Sequence, residues 1–77
     1  MKNELVIWVE CSCGDIWPVF FDTDRDTIEK AVKEFKQLCV RIGLKMEGLK
    51  YREICVRRKS SGQELEKKKE KDLVSLF

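Results

Sequence analysis

The sequence predicts a small α+β domain: a three-stranded antiparallel sheet of order 2-1-3, one long helix packed on it, and a short C-terminal helix. Two observations predict this class. Runs rich in β-branched and aromatic residues occupy 5–11, 16–21 and 49–58, and apolar residues recur at three- and four-residue spacings through 24–42. The 77 residues suffice for one hydrophobic core. We expect β-β-α-β-α order, with 1–59 as the ββαβ core domain and 60–77 as a charged helix or tail.

The first two strands are predicted to form a hairpin across a turn at residues 11–15. The first strand is apolar on both of its alternating faces, which is typical of a central strand. Pro18 has no backbone N–H, so the second strand is expected at a sheet edge. A single helix covers one face of a sheet, so some apolar surface is expected to remain for the C-terminal helix, a second copy of the chain, or a partner.

The central segment, residues 24–42, is predicted to be an amphipathic helix. Its apolar residues form one stripe, and lysines, glutamate and arginine cover the opposite face. Thr23 or Asp24 is expected to cap its start and Gly43 to end it. This stripe is expected to be the centre of the core.

The last third of the chain is predicted to hold one strand and one short helix. Residues 49–58 alternate, with Arg52, Ile54 and Val56 expected on one face. Ser61 and Glu64 then match a capping-box pattern, followed by a favourable pair of opposite charges four residues apart. These features predict the C-terminal helix.

Composition excludes several classes of site. The sequence contains no histidine, which removes Ser-His-Asp and Cys-His catalysis and every zinc site that needs imidazole. The longest apolar run is far shorter than the roughly 20 residues that span a membrane, and no signal-peptide pattern precedes it. We expect a soluble cytoplasmic protein that is not an enzyme, with no cofactor and no membrane partner.

The four cysteines, Cys11, Cys13, Cys39 and Cys55, are expected to be reduced thiols. Disulfide frameworks belong to secreted, cysteine-dense chains, whereas this one is rich in lysine and glutamate. Cys11 and Cys13 are spaced for one zinc ion, and Cys39 on the helix is placed to approach them. Cys55 is expected roughly 16–20 Å down the sheet. Three ligands leave a structural site incomplete, so a zinc-stabilised module is the weakest alternative and no metal is expected.

The basic residues are concentrated in the second half of the chain. Residues 1–42 carry 6 basic and 8 acidic side chains, and residues 43–77 carry 10 and 6. Those that could meet phosphates are Lys45, Lys50, Arg52, Arg57, Arg58 and Lys59. The overall charge of +2 is low for a nucleic-acid domain. Nucleic-acid binding is therefore the alternative rather than the leading hypothesis.

The leading hypothesis is a protein-binding module that inhibits or adapts a larger cellular protein. The surplus apolar surface favours it, and homodimerisation is one use of that surface. The candidate contact residues are Trp8, Trp17, Phe21, Leu73, Val74, Leu76 and Phe77. The compact, charge-rich composition is similar to that of small phage and mobile-element proteins.

Overall fold

The fold is a four-stranded antiparallel sheet with one α-helix across one face. A computed structural model describes residues 1–45 and 50–72. Its elements are β1 (Asn3–Glu10), β2 (Ile16–Thr23), α1 (Ile28–Ile42), β3 (Lys50–Arg58), β4 (Glu64–Lys69) and a 3-10 turn (Glu70–Asp72). The strand order is β2-β1-β3-β4, and each neighbouring pair is antiparallel. Within the described ranges, no helix has the length and apolarity needed to cross a membrane.

The predicted fold is wrong at its C-terminal end. The first three strands lie in the order 2-1-3, but residues 64–69 form a fourth strand on β3 instead of a helix, which gives β-β-α-β-β. Ser61 does not cap a helix; its Oγ accepts a hydrogen bond from the Gln63 N–H in the β3–β4 turn. Gly62 lies in that turn and has a positive φ of 72°. The helix propensity of these charged residues is weak, so the pairing of residues 64–69 with β3 outweighs it.

The helix begins later than predicted and ends where predicted. Neither Thr23 nor Asp24 caps it, because β2 continues through Thr23. The N-cap is Thr27, whose side chain accepts a hydrogen bond from the Lys30 N–H at 3.4 Å. At the other end Gly43 adopts the left-handed conformation with φ of 72°, which glycine reaches without steric cost.

The core lies between α1 and one face of the sheet. Its buried side chains are Leu5, Ile7, Val9, Ile28, Ala31, Val32, Phe35, Cys39, Ile54 and Val56. Phe21 of β2 extends this core through an edge-to-face contact with Phe35, with ring centroids 5.6 Å apart. The helix packs mainly over β1, β3 and β4. The β2 edge is therefore the less covered side of this face.

An irregularity in the β1–β3 pairing changes which β3 side chains enter the core. The register shifts between Trp8, which pairs with Glu53, and Val9, which pairs with Tyr51. Arg52 falls at the shift, and Tyr51 packs against the core cluster. The predicted alternation, which put Arg52 on the same face as Ile54 and Val56, is thus broken at this point because a bulge inserts an extra residue.

The fourth strand also holds the start of the helix. The Ile28 N–H donates a hydrogen bond to the carboxylate of Glu66 in β4. The first N–H groups of a helix have no partner within it, and the helix dipole favours a negative charge there. Glu66 therefore links β4, which pairs with β3, to the start of α1 through a charged hydrogen bond.

Candidate functional site

Among residues 1–45 and 50–72, no helix lies on the sheet face opposite α1, and we call this face the open face. Paired residues of antiparallel strands project to the same side. Val6 pairs with Phe20 and Cys55, and Trp8 pairs with Pro18 and Glu53. Following the register, the open face of β1, β2 and β3 comprises Glu4, Val6, Trp8, Glu10, Ile16, Pro18, Phe20, Asp22, Lys50, Glu53, Cys55 and Arg57, and β4 adds Glu64, Lys67 and Lys69.

One half of the open face is apolar and exposed. Trp8, Ile16 and Phe20 retain 37%, 50% and 55% of their surface in solvent, and we call these three the aromatic patch after its two aromatic members, Trp8 and Phe20. Val6 and Cys55 lie beside them on the same face and are buried, with 3% and 6% of their surface exposed. The Arg57 guanidinium carbon lies 5.9 Å from the centre of the Phe20 ring, within cation–π range. Large apolar side chains are thus presented on two strands that pair along their whole length.

The other half of the open face is covered by ion pairs. Arg57 bonds the Glu4 carboxylate through Nε at 3.1 Å and Nη2 at 2.9 Å. Lys67 of β4 lies 3.4 Å from Glu53, and this hydrogen bond raises the pKa of the Lys67 ammonium. Exposed pairs of this kind contribute little to stability, because solvent screens them. Their effect on the surface is to present charges of both signs beside the aromatic patch.

The structure separates the residues that the sequence proposed as a protein-binding set. Trp8 lies on the open face, but Trp17 pairs with Val9 and lies on the helix side, 39% exposed at the β2 edge. Phe21 is partly buried against the core. The remaining candidates, Leu73, Val74, Leu76 and Phe77, lie outside the described residues.

Sequence reasoning missed two members of the aromatic patch, Ile16 and Phe20. The turn at residues 11–15 pairs Glu10 with Ile16, and this register decides which β2 residues join Trp8. A shift of one residue moves every side chain of a strand to the other face. The length of the turn was the signal that could have identified both residues.

The basic residues do not form one free patch. Four of the six pair with carboxylates: Lys50 and Arg52 with Glu70, Arg57 with Glu4, and Lys59 with Asp22. Arg58 of β3 is the strand partner of Asn3 in β1, and the Asn3 side-chain amide donates a hydrogen bond to the Arg25 carbonyl on the helix side. Lys45 is exposed beyond the end of α1. The charges that would meet phosphates are therefore partly neutralised and divided between two faces.

The cysteines fall into two classes. Cys11 and Cys13 are joined in a disulfide within the β1–β2 turn, so the expectation of reduced thiols is wrong for this pair. Cys39 and Cys55 are free and buried, as expected. Burial raises the pKa of both thiols and keeps them neutral. A neutral buried thiol is a poor nucleophile.

The proposed metal ligands are not assembled as the sequence suggested. The Cys11 and Cys13 sulfurs and the Asp15 carboxylate lie within 4.8 Å of one another, whereas Cys39 lies in the core. Metals bind thiolates, and these two sulfurs are bonded to each other. Zinc would require reduction of the pair and would then find two thiolates and one carboxylate.

The two outer strands are poorly suited to accept an added strand. β2 contains Pro18, which cannot donate to a ladder. β4 carries Lys67, Lys68 and Lys69 in its last three positions, and charged side chains of this kind disfavour edge pairing. Contact through a sheet face is therefore favoured over contact through a sheet edge.

The chain matches no protein-family model, no curated protein and no solved structure. Its function is therefore inferred from the surface of the folded domain.

Proposed function

We propose that this chain is a protein-binding module whose partner docks on the open face of the sheet. The observation that carries the proposal is the exposed aromatic patch of Trp8, Ile16 and Phe20. These residues stand on two paired strands, opposite the face that the helix covers. Contiguous exposed apolar surface of this kind marks interaction sites in small soluble proteins.

The size of the aromatic patch indicates how much of a partner it can hold. Aromatic side chains such as Trp8 and Phe20 carry about 150–250 Å² each and Ile16 is of similar order, so the three partly exposed residues offer roughly 300 Å². At about 25 cal/mol per Å² this is roughly 7 kcal/mol before the cost of association, which is itself about 4–15 kcal/mol. A standard interface covers about 800 Å² on each partner. The aromatic patch therefore acts as the anchor, and the partner must also cover the ion-paired half.

The composition of the open face defines the chemistry of the partner. Protein interfaces place aromatic residues and arginine at the centre and charged groups at the rim. Here Trp8 and Phe20 would be the centre, Arg57 lies beside Phe20, and paired charges of both signs form the rim. We propose a partner protein that inserts an apolar side chain against Trp8 and Phe20 and sets polar groups around it.

The same proposal includes the biological role expected from the sequence. Inhibition or adaptation of a larger protein in the cytoplasm, without catalysis, is consistent with a contact surface on so small a domain. Nucleic-acid binding is less favoured because carboxylates pair with Lys50, Arg52, Arg57 and Lys59. Phosphates would have to displace those carboxylates.

A capture experiment with matched variants tests the proposal. Immobilised wild-type protein, Trp8→Ala/Phe20→Ala and a control, Val40→Ala/Ile42→Ala, are exposed to lysate of the source organism. Val40 and Ile42 are 84% and 60% exposed on the helix, so the control removes comparable apolar surface elsewhere. We expect the control to retain a defined partner and the open-face variant to lose it at least about tenfold, since central aromatic residues contribute about 2 kcal/mol or more.

Two outcomes would contradict the proposal. Retention of the same partner by the open-face variant would place the contact elsewhere on the domain. Light scattering that showed a wild-type dimer, converted to a monomer by Trp8→Ala/Phe20→Ala, would make a second copy of this chain the occupant.

A further inference from the structure

We infer that the turn between β1 and β2 is a thiol–disulfide exchange site for a small thiol of the glutathione class. Cys11 and Cys13 are joined in a disulfide with one residue between them. Cys13 is exposed and Cys11 is half-buried at the end of β1. Exposed disulfides exchange readily, whereas buried ones resist reduction.

The turn is held together without the disulfide. The Cys11 N–H donates to the Asp15 carbonyl at 3.0 Å, and the Gly14 N–H donates to the Cys11 carbonyl at 3.0 Å. Gly14 adopts φ of 90°, a conformation that suits glycine. Since these bonds and the strand pairing do not pass through sulfur, reduction leaves the hairpin in place. The disulfide also closes a very short loop, which gives little entropic stabilisation.

The two sulfurs are not equivalent. The exposed Cys13 Sγ is the one that an incoming thiolate reaches. The Cys11 Sγ accepts a hydrogen bond from the Cys13 N–H at 3.3 Å, which stabilises negative charge on Cys11 as it leaves. A shallow cavity beside Cys11 is lined by Glu10, Ser12, Gly14 and Lys50. The Lys50 ammonium, which also pairs with Glu70, lines this cavity together with the Glu10 carboxylate, so charges of both signs lie on that side and the Cys13 N–H is the group that stabilises the leaving thiolate.

The exchange proceeds in two steps. A thiolate of the small thiol attacks Cys13 Sγ, the bond between Cys13 and Cys11 breaks, and Cys11 leaves with the electron pair and takes a proton. A second thiolate then attacks the small-molecule sulfur of the mixed disulfide and releases Cys13. Two small thiols are thereby oxidised to one disulfide, and the Cys11–Cys13 pair is reduced to two thiols. An excess of the small disulfide drives the reverse reaction.

Asp15 tunes the rate of attack. Its carboxylate Oδ2 lies 3.5 Å from Cys13 Sγ, which places a negative charge beside the sulfur that an anionic thiolate must reach. Like charges at this separation slow the approach of the attacking anion. Removing that charge should speed the reaction without changing the sulfurs.

The test measures thiol labelling of the folded protein in glutathione buffers. After equilibration, free thiols are blocked with an alkylating reagent and mapped by mass spectrometry. We expect excess reduced glutathione to open two sites, Cys11 and Cys13, and oxidised glutathione to close them. Cys39 and Cys55 are the internal control, because both are buried and should label only after unfolding.

Single variants then identify the attacked sulfur. With oxidised glutathione, Cys11→Ser should accumulate an adduct on Cys13, and Cys13→Ser should form one on Cys11 at least about tenfold more slowly, because Cys11 is less accessible. Asp15→Asn should accelerate reduction of the disulfide about two- to fourfold at low salt and less at high salt.

Three results would overturn the inference. The disulfide could resist a glutathione excess in the folded protein that reduces it in the urea-unfolded chain. Oxidised glutathione could fail to form it at all. Cys39 and Cys55 could label as fast as the turn pair. All three are measured on the wild-type chain, so the test does not depend on whether any variant folds.

Discussion

Truncation of Phe35 to alanine should destabilise the domain far more than the same change at Phe20. Phe35 is 4% exposed and contacts the Phe21 ring edge-to-face, whereas Phe20 is 55% exposed on the open face. The pair isolates burial, because the two substitutions are chemically identical. It also tests the placement of the two sheet faces, since Phe35 packs from α1 into the core on the covered face, whereas Phe20 lies on the open face.

The expected magnitudes follow from burial. Removing a buried phenylalanine costs about 3–5 kcal/mol through lost transfer free energy and the cavity left behind. Phe20→Ala loses partial burial and the contact with Arg57, worth about 0.5–1 kcal/mol when exposed, so its total should stay below about 1.5 kcal/mol. The free energy of unfolding of a small domain is about 5–15 kcal/mol, so Phe35→Ala removes a large part of it and brings the domain close to unfolding.

Urea titration followed by far-ultraviolet circular dichroism measures both variants. We expect a much lower midpoint for Phe35→Ala with an unchanged slope, and only a small shift for Phe20→Ala. Phe35→Leu is the reserve variant if the alanine variant does not fold, and it should cost about 1–2 kcal/mol through lost volume and the lost ring contact with Phe21. Equal destabilisation by the two alanine substitutions, or a loss below about 1 kcal/mol at Phe35, would refute this assignment of the core.

Three further predictions follow from single contacts. Glu66→Ala should lower the free energy of unfolding by about 1–2 kcal/mol in urea titration, because it removes the carboxylate at the helix N-terminus. A loss below about 0.5 kcal/mol would show that the contact between β4 and the helix start does not stabilise the domain. Burial raises the pKa of the Cys39 and Cys55 thiols, so the free energy of unfolding should be highest below the ordinary thiol pKa and should fall as pH rises from there through the raised pKa values. The double variant Cys39→Ala/Cys55→Ala should weaken this pH dependence, and an unchanged slope of the unfolding free energy against pH would contradict the prediction. Duplex DNA should not bind at about 0.15 M salt; micromolar binding abolished by Arg57→Ala/Arg58→Ala, with a log–log salt slope near −0.9 per phosphate, would restore the nucleic-acid hypothesis.

Sequence periodicity predicted the helix because burial alone decides its pattern. The apolar stripe through Phe35 and Cys39 matches one helical face, and Gly43 ends it for a steric reason that is local. The start was misplaced because Thr23 belongs to β2, and Thr27 offers the same capping chemistry four residues later. Several residues near a helix start can cap it, and tertiary contacts decide which one does.

The fourth strand could not be predicted from its own residues. In Glu64–Lys69 only Leu65 is apolar, and glutamate and lysine favour a helix slightly when exposed. The stabilisation comes from elsewhere in the chain: the ladder with β3, the Lys67–Glu53 pair and the bond from Glu66 to the helix start. Local sequence contains none of these long-range contacts.

The candidate site was predicted only in part for a related reason. Trp8 was identified from the apolar surface expected to remain when one helix covers one sheet face, but its neighbours on the open face depend on the β1–β2 register, which the turn fixes. The disulfide was missed because cysteine usage was interpreted through compartment alone. The adjacency of Cys11 and Cys13 in a tight turn allows them to bond whatever the rest of the chain suggests.

The most direct test of the proposed function is site-specific photo-crosslinking in the source organism. A photoreactive phenylalanine analogue replaces Phe20 on the open face or, as the control, Val40 on the exposed side of the helix. A partner docked on the open face predicts a discrete crosslinked protein from position 20 that is absent from position 40 and is lost when Trp8→Ala is added. Crosslinks from position 40 alone, or the same adducts from both positions, would contradict it.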